Sequence, residues 1–442
     1  MLRKMFFSVN RFLTVAIISG LLVGCDSDST SRPTIAAASE DEVSCGLTSK
    51  LDPTKSVLNW QQIGETIHGD SAEVHHGLSH PFIGRAIEIS SDGSKVVATV
   101  GHDGIRTYEL NDDGLAQSGD DLVNVGTHNI ELSGDGNTLL RDVWFESYGA
   151  GSIEVDRWGI GGNWEFHEQF SGDEHEWLGT SFAISANGNM IAISQSEDQS
   201  NEESYNNGLI RTYALTTEDT WFPLQEIIGE NTENLSGSID LSNDGLTMLV
   251  QRQGGINGYK LVGDQWEYLE DLNGFTDVFN KYVFDTAHGS PASVRNISMS
   301  GNGGVVAVTY NEGPGSGRFG EIFTSVRLFK LEDSSVQQIG ESIDGYYSRD
   351  GFGDLIEVSC DGSIVLIGAD SNNESNAYVR AFVNHEDTWH QIGEDITFDQ
   401  YGLGDIALSA DGRTAVISVG NNGTFNHHGE LLAYGLVATP IP

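Results

Sequence analysis

The chain has 442 residues, with 22 Lys and Arg against 65 Asp and Glu, a formal charge of −43. That balance excludes a nucleic-acid-binding role, because too few cations are present to neutralise a phosphate backbone. With 8 Trp, 13 Tyr and 19 Phe it is not globally disordered, and its length suits two or three domains or one large repeat array.

The first 24 residues form a leader. Arg3, Lys4 and Arg11 make a positive start, Phe12 to Val23 is mainly apolar, and small residues precede Cys25. This is the pattern of a secretion signal. Leu22-Val23-Gly24-Cys25 resembles the lipobox of bacterial lipoproteins at all four positions. The resemblance implies that Cys25 is lipidated, becomes the mature N-terminus and holds the protein on a membrane by acyl chains rather than by a spanning segment. Asp26 follows, a residue that in some Gram-negative lineages accompanies retention at the inner membrane. Residues 25–57 are polar and aperiodic, and read as a tether.

From residue 58 the chain repeats. An apolar residue, Ser, any residue, Asp or Asn, then Gly occurs seven times, ending at Gly93, Gly136, Gly188, Gly245, Gly303, Gly362 and Gly412. Asp-Gly and Asn-Gly favour the tight turns of hairpins. An alternating strand precedes each turn and an apolar strand follows, as at Val96-Val97-Ala98 and Ile364-Val365-Leu366-Ile367. A third strand comes next, as at Ile105-Arg106-Thr107-Tyr108 and Val379-Arg380-Ala381-Phe382. A fourth begins near Trp164, Trp221, Trp266 or Trp389. Four strands repeated seven times predict an all-β, seven-bladed β-propeller of four-stranded antiparallel blades over 58–437. The last repeat lacks its fourth strand. Trp60-Gln61-Gln62-Ile63-Gly64-Glu65 matches Trp389-His390-Gln391-Ile392-Gly393-Glu394, so the N-terminal strand is expected to close the ring. Residues 438–442 read as a tail.

The repeats resemble the FG-GAP repeats of bacterial surface proteins, distantly akin to the integrin α-subunit propeller. Phe352-Gly353 carries the "FG" position, changed to Tyr401-Gly402 and Leu178-Gly179 elsewhere, and Ile367-Gly368-Ala369-Asp370 carries part of "GAP". Calcium-binding members have Asp-x-Asp-x-Asp-Gly loops. Here each turn offers one Asp or Asn, too few oxygens for calcium, so no metal and no cofactor is expected.

Antiparallel blades place the first-to-second and third-to-fourth strand loops on one face and the others on the opposite face. The former are short. The latter include the long segments 68–81, 195–208, 273–293, 311–325, 344–351 and 420–429. Irregular length on a rigid scaffold points to a binding face. Its candidate ligand residues are His75, His76, His80, Trp177, Tyr205, Phe275, Tyr346, Tyr347, Arg349, Tyr401 and His427. The histidine clusters encode no tetrahedral metal spacing, since adjacent residues of an extended segment point oppositely. An exported compartment permits a disulfide between Cys45 and Cys360, which would pin the tether to the short-loop face.

No His-Glu-x-x-His, Gly-x-Ser-x-Gly or phosphate loop is present. The expectation is a monomeric, lipid-anchored module of the bacterial envelope, periplasmic or at the cell surface. It would recognise an envelope protein or glycan through the long-loop face. The alternative is a propeller enzyme, a lyase or hydrolase acting on polysaccharide.

Overall fold

The computed structural model describes residues 45, 51–69, 82–101, 104–123, 126–143, 151–173, 176–196, 207–229, 235, 237–252, 255–269, 294–312, 323–332, 335–370, 376–399, 401–421 and 429–441. Their secondary structure is β-strand without helix. They form seven antiparallel sheets of four main strands, and in two of them a short fifth strand, Leu122–Val123 or Ile396–Phe398, also pairs with the third.

The repeat motif explains each blade's first hairpin. In blade 1, Gly93 adopts φ +76° at the turn, a backbone that side chains resist. The buried Ser90 hydroxyl donates to Asp92 Oδ1 at 2.6 Å and accepts the backbone N–H of Lys95. Asp92 Oδ1 also accepts the N–H of Ser94. The same arrangement recurs at Ser133, Ser185, Ser242, Ser300, Ser359 and Ser409. Each turn carboxylate or amide is therefore engaged locally, as the Asx chemistry of turns requires.

The strands nearest the axis are Ile83–Ile89, Ile130–Leu132, Leu178–Ile184, Ile239–Leu241, Val294–Met299, Leu355–Val358 and Tyr401–Leu408 in blades 1 to 7. Each packs on its neighbours, and the seventh packs on the first, which closes a ring. The second strands are covered by blades on both faces. Thr138–Val143, Met190–Gln195 and Ile364–Ala369 are consequently buried at every position. Burial on both faces removes the alternation of polar and apolar residues, and Ile364–Ala369 is a continuous apolar run, whereas the other two also bury polar side chains. In Thr138–Val143 Arg141 is paired with Glu154 and Asp156, and Asp142 accepts the backbone N–H groups of His128 and Asn129.

Blade 7 takes its outermost strand from the N-terminal side, with Ser56–His68 pairing along Glu430–Pro440. Both strands run beyond the repeat limits read from the sequence, because Ser56 pairs with Pro440. Residues 438–440 are therefore sheet and not tail: the backbone ladder continues past the apolar pattern that marks the repeat.

Candidate functional site

The ends of the ring differ. At the short-loop end the variable residues of the seven turns come together. Ser91 N–H donates to Gly134, Asp135 to Ala186, Asn243 to Gly301, Asn302 to Cys360, Cys360 to Ala410 and Ala410 back to Ser91. A Cβ at Gly134 would lie 2.3 Å from Ser91 Oγ and 2.7 Å from Ala186 Cβ. Small residues are needed there because the turns crowd the axis. Cys360 joins this circle and is bonded to Cys45 in a disulfide with a Cα–Cα separation of 5.3 Å. Asn243, two blades away, places Nδ2 at 3.2 Å from Cys360 Sγ. The N-terminal segment thus meets the axis at the closed, short-loop end.

Carboxylates line the axial channel. Glu88, Glu131, Asp240, Glu357 and Asp405 come from the inner strands of five blades and are only partly exposed. Burial drives the carboxyl of Glu88 well above its ordinary range, and the charges of Glu131, Glu357, Asp405 and Asp240 add to this. Glu131 and Glu357 behave likewise. Burial pushes Asp240 and Asp405 up to about 7, against the hydrogen bonds that favour their ionised forms. Those bonds connect blades. Asp240 Oδ2 accepts the N–H of Met299 at 2.6 Å, and Asp405 Oδ2 accepts that of Ile87 at 2.9 Å. Ser181 Oγ does the same for Ile239. An inner strand is a sheet edge with unpaired N–H groups, and the preceding blade satisfies them. The sequence reading missed these acids. Their signal is a polar residue two or four positions before the turn serine, visible once the repeats are aligned.

Among the described residues of the long-loop face, the connection between blades 5 and 6 is the best-defined site. Asp350 is its buried hub: it accepts from Tyr378 Oη at 2.6 Å and from the backbone N–H groups of Tyr347 and Phe352. Burial, then donation to Asp350, raises the Tyr378 hydroxyl above its ordinary range. Tyr346 packs on Tyr378 with ring centres 5.3 Å apart and planes tilted by 33°, and the Arg380 guanidinium lies 4.5 Å from the Tyr346 ring centre. The Tyr346 hydroxyl is hydrogen-bonded to Asp395. Arg380 in turn donates to the Asp344 carbonyl and to Gln391 Oε1. Despite these anchors Tyr346 is 50 % exposed, and Tyr347, set at 77° to it, is 42 % exposed. Ordering both rings before any ligand arrives lowers the entropy cost of binding.

Arg380 occupies a repeated position, the second residue of the apolar third-strand motif. Arg106, at the same place in blade 1, makes a bidentate pair with Asp121, and Arg211 in blade 3 pairs with Glu226. Blade 6 places the equivalent arginine beneath an exposed tyrosine.

The remaining candidates fall as follows. Trp177 lies three blades away, between blades 2 and 3, at φ +46° and 38 % exposed. It is not brought near Tyr346. Arg349 follows Tyr347 by two residues, at φ +61°. Tyr401 opens the inner strand of blade 7. His75, His76, His80, Tyr205, Phe275 and His427 lie outside the described residues, as does Cys25.

No family model matches this chain, and no curated protein does. Solved structures do resemble it. One described as RRP9 WD40 repeats superposes with a TM-score of 0.50 at 12 % identity, covering 84 % of this chain and 100 % of the other. The Kuenenia stuttgartiensis hydrazine synthase gives a TM-score of 0.48 at 14 % identity over 84 % and 98 %. At such identity the likeness concerns the fold alone, a ring of β-blades.

Proposed function

We propose that this protein is a lipid-anchored, extracytoplasmic binding module that recognises a protein or glycan partner through its long-loop face. The observation that carries the reading is the Tyr346–Tyr347 pair, exposed yet held by Arg380, Tyr378 and Asp395. Ordered aromatic rings with polar neighbours are the usual anchors of recognition surfaces. The lipobox-like Leu22-Val23-Gly24-Cys25 supports attachment to an envelope membrane, and the FG-GAP-like repeats support display outside the cytoplasm.

The test is photo-cross-linking in cells with the probe placed at Ser348, beside the tyrosine pair, followed by mass spectrometry. A reproducible partner, lost on Tyr346→Ala, supports the module. Cys25→Ser is expected to release the protein from membranes. Retention of that variant, or no partner at Ser348, counts against the reading.

A second reading, an enzyme acting on envelope polysaccharide, draws support from Asp240 and Asp405, whose carboxyls titrate near 7 in the axial channel. Turnover abolished by either single Asp→Asn change would favour it.

A further inference from the structure

Arg380 lies against Tyr346, but the exposed charges around the tyrosine pair are mostly acidic. Segments 341–354 and 391–395 hold Glu341, Asp344, Asp350, Asp354, Glu394 and Asp395 against Arg349. Asp350 and Asp395 are engaged within the fold, and Asp354 pairs with Arg295. Glu341, Asp344 and Glu394 are exposed, and their side chains have no cationic partner among the described residues. Asp344 stands two residues before Tyr346, and Glu394 adjoins Asp395, the partner of the Tyr346 hydroxyl.

The rings themselves show which group they accept. Tyr346 already takes a guanidinium, that of Arg380, at 4.5 Å. Tyr347 meets the edge of Tyr346 and has no cation over its own ring among the described residues. An aromatic face beside uncompensated carboxylates is complementary to a cation that can stack, and arginine does this best. The whole chain, at −43, would steer such a partner in and repel an acidic one.

Resting on the binding-module reading above, we propose that the surface around Tyr346 and Tyr347 docks a basic polypeptide segment of a partner protein, with an arginine side chain stacked on Tyr347 and its charge met by Asp344 and Glu394. An acidic glycan is excluded by the same field, and a neutral glycan would leave those carboxylates without a role.

The experiment uses the full-length chain in detergent and three kinds of probe. These are a short arginine–glycine–serine peptide, its aspartate counterpart, and neutral cello- and chito-oligosaccharides. The expected result is binding of the arginine peptide, weakened about tenfold by Tyr347→Ala and retained by Tyr347→Phe, which keeps the ring. Phe166→Ala, an exposed aromatic on the outer strand of blade 2, should leave it unchanged. Equal binding by the wild type and Tyr347→Ala would mean that the general acidic field alone attracts the peptide, and would overturn the proposal. Tyr347-dependent binding of a neutral oligosaccharide, without peptide binding, would overturn it in favour of a glycan. A partner cross-linked at Ser348 in cells, together with failure of the peptide arm, would leave the module reading standing and remove only the basic-segment assignment.

Discussion

Asp405 Oδ2 accepts the backbone N–H of Ile87 at 2.9 Å, joining the last blade to the first across 318 residues. Asp240 makes the same kind of bond to Met299 in the next blade, at 2.6 Å. Both carboxylates are surrounded by protein in a channel that holds Glu88, Glu131 and Glu357 as well. The fold therefore uses acids as inter-blade latches in a place where their ionisation is unfavourable.

A pH dependence of stability follows. Asp240 and Asp405 have carboxyls near 7 in the folded protein and near 3.8 in the unfolded chain. Between those values the folded state binds more protons, so stability is fully present below about pH 4 and is lost as pH rises through about 7. The melting temperature of the wild type should fall from pH 5 to pH 8 by roughly 2–5 °C through these groups. Asp405→Asn keeps an oxygen acceptor for Ile87 and removes the charge, so it should melt higher than wild type at pH 8 and lie close to it at pH 4. Asp405→Ala should be destabilised at both, because the Ile87 N–H loses its partner. A wild-type melting temperature that rises from pH 5 to pH 8, with no change in slope for Asp405→Asn, would contradict this account.

The Cys45–Cys360 disulfide spans 315 residues of sequence. Linking such distant points removes much chain entropy from the unfolded state. Cys360→Ser should lower stability by up to about 5 kcal/mol on that basis, seen as an earlier midpoint in denaturant. Reducing agent should lower the wild type to the level of the variant and leave the variant where it is.

The turn serines make a sharper test of the repeat. Ser185 is fully buried, donates to Asn187 at 2.7 Å and accepts the N–H of Met190. Ser185→Ala should cost about 1–3 kcal/mol, because the buried Met190 N–H loses its acceptor and the Asn187 amide oxygen loses one of its two donors. Ser94, an exposed turn residue that also bonds to its Asp, should cost less than half as much when changed to Ala. Equal losses from chemical denaturation would show that the motif serves only as a surface turn.

The blades were legible in the sequence because seven copies of one turn, with Ser90 and Asp92 as the pattern, repeat a purely local chemistry. The outermost strand of blade 7 was legible because Trp60 to Glu65 repeats the residues around Trp389. The axial acids were not, because a lone Glu88 or Asp405 in an alternating strand looks like a solvent-facing residue. Only closure of the ring turns that face inward. The Tyr346–Tyr347 pair was found as exposed aromatics of a loop. What stayed invisible was its support, since Arg380 and Tyr378 come from a third strand whose arginine elsewhere makes ordinary ion pairs, as Arg106 does with Asp121.

Arg349 offers the final test of whether the long-loop face is shaped for binding. It adopts φ +61° in the left-handed region, where a side-chain-bearing residue is strained and glycine is not. Elsewhere in the same loop Gly351, at φ +64°, and Gly353, at φ +83°, meet the same demand at no such cost. Replacing an arginine in regular backbone by glycine ordinarily costs about 1 kcal/mol. Here Arg349→Gly relieves strain and should leave the melting temperature unchanged or raise it by a degree or two. Because the proposed occupant is basic, the same variant should remain folded and keep or strengthen cross-linking at Ser348, whereas lost capture in a folded variant would mean that Arg349 meets an acidic group of the partner. A drop in stability with partner capture intact would instead make Arg349 a structural residue of the loop, and the binding surface would then narrow to the tyrosine pair.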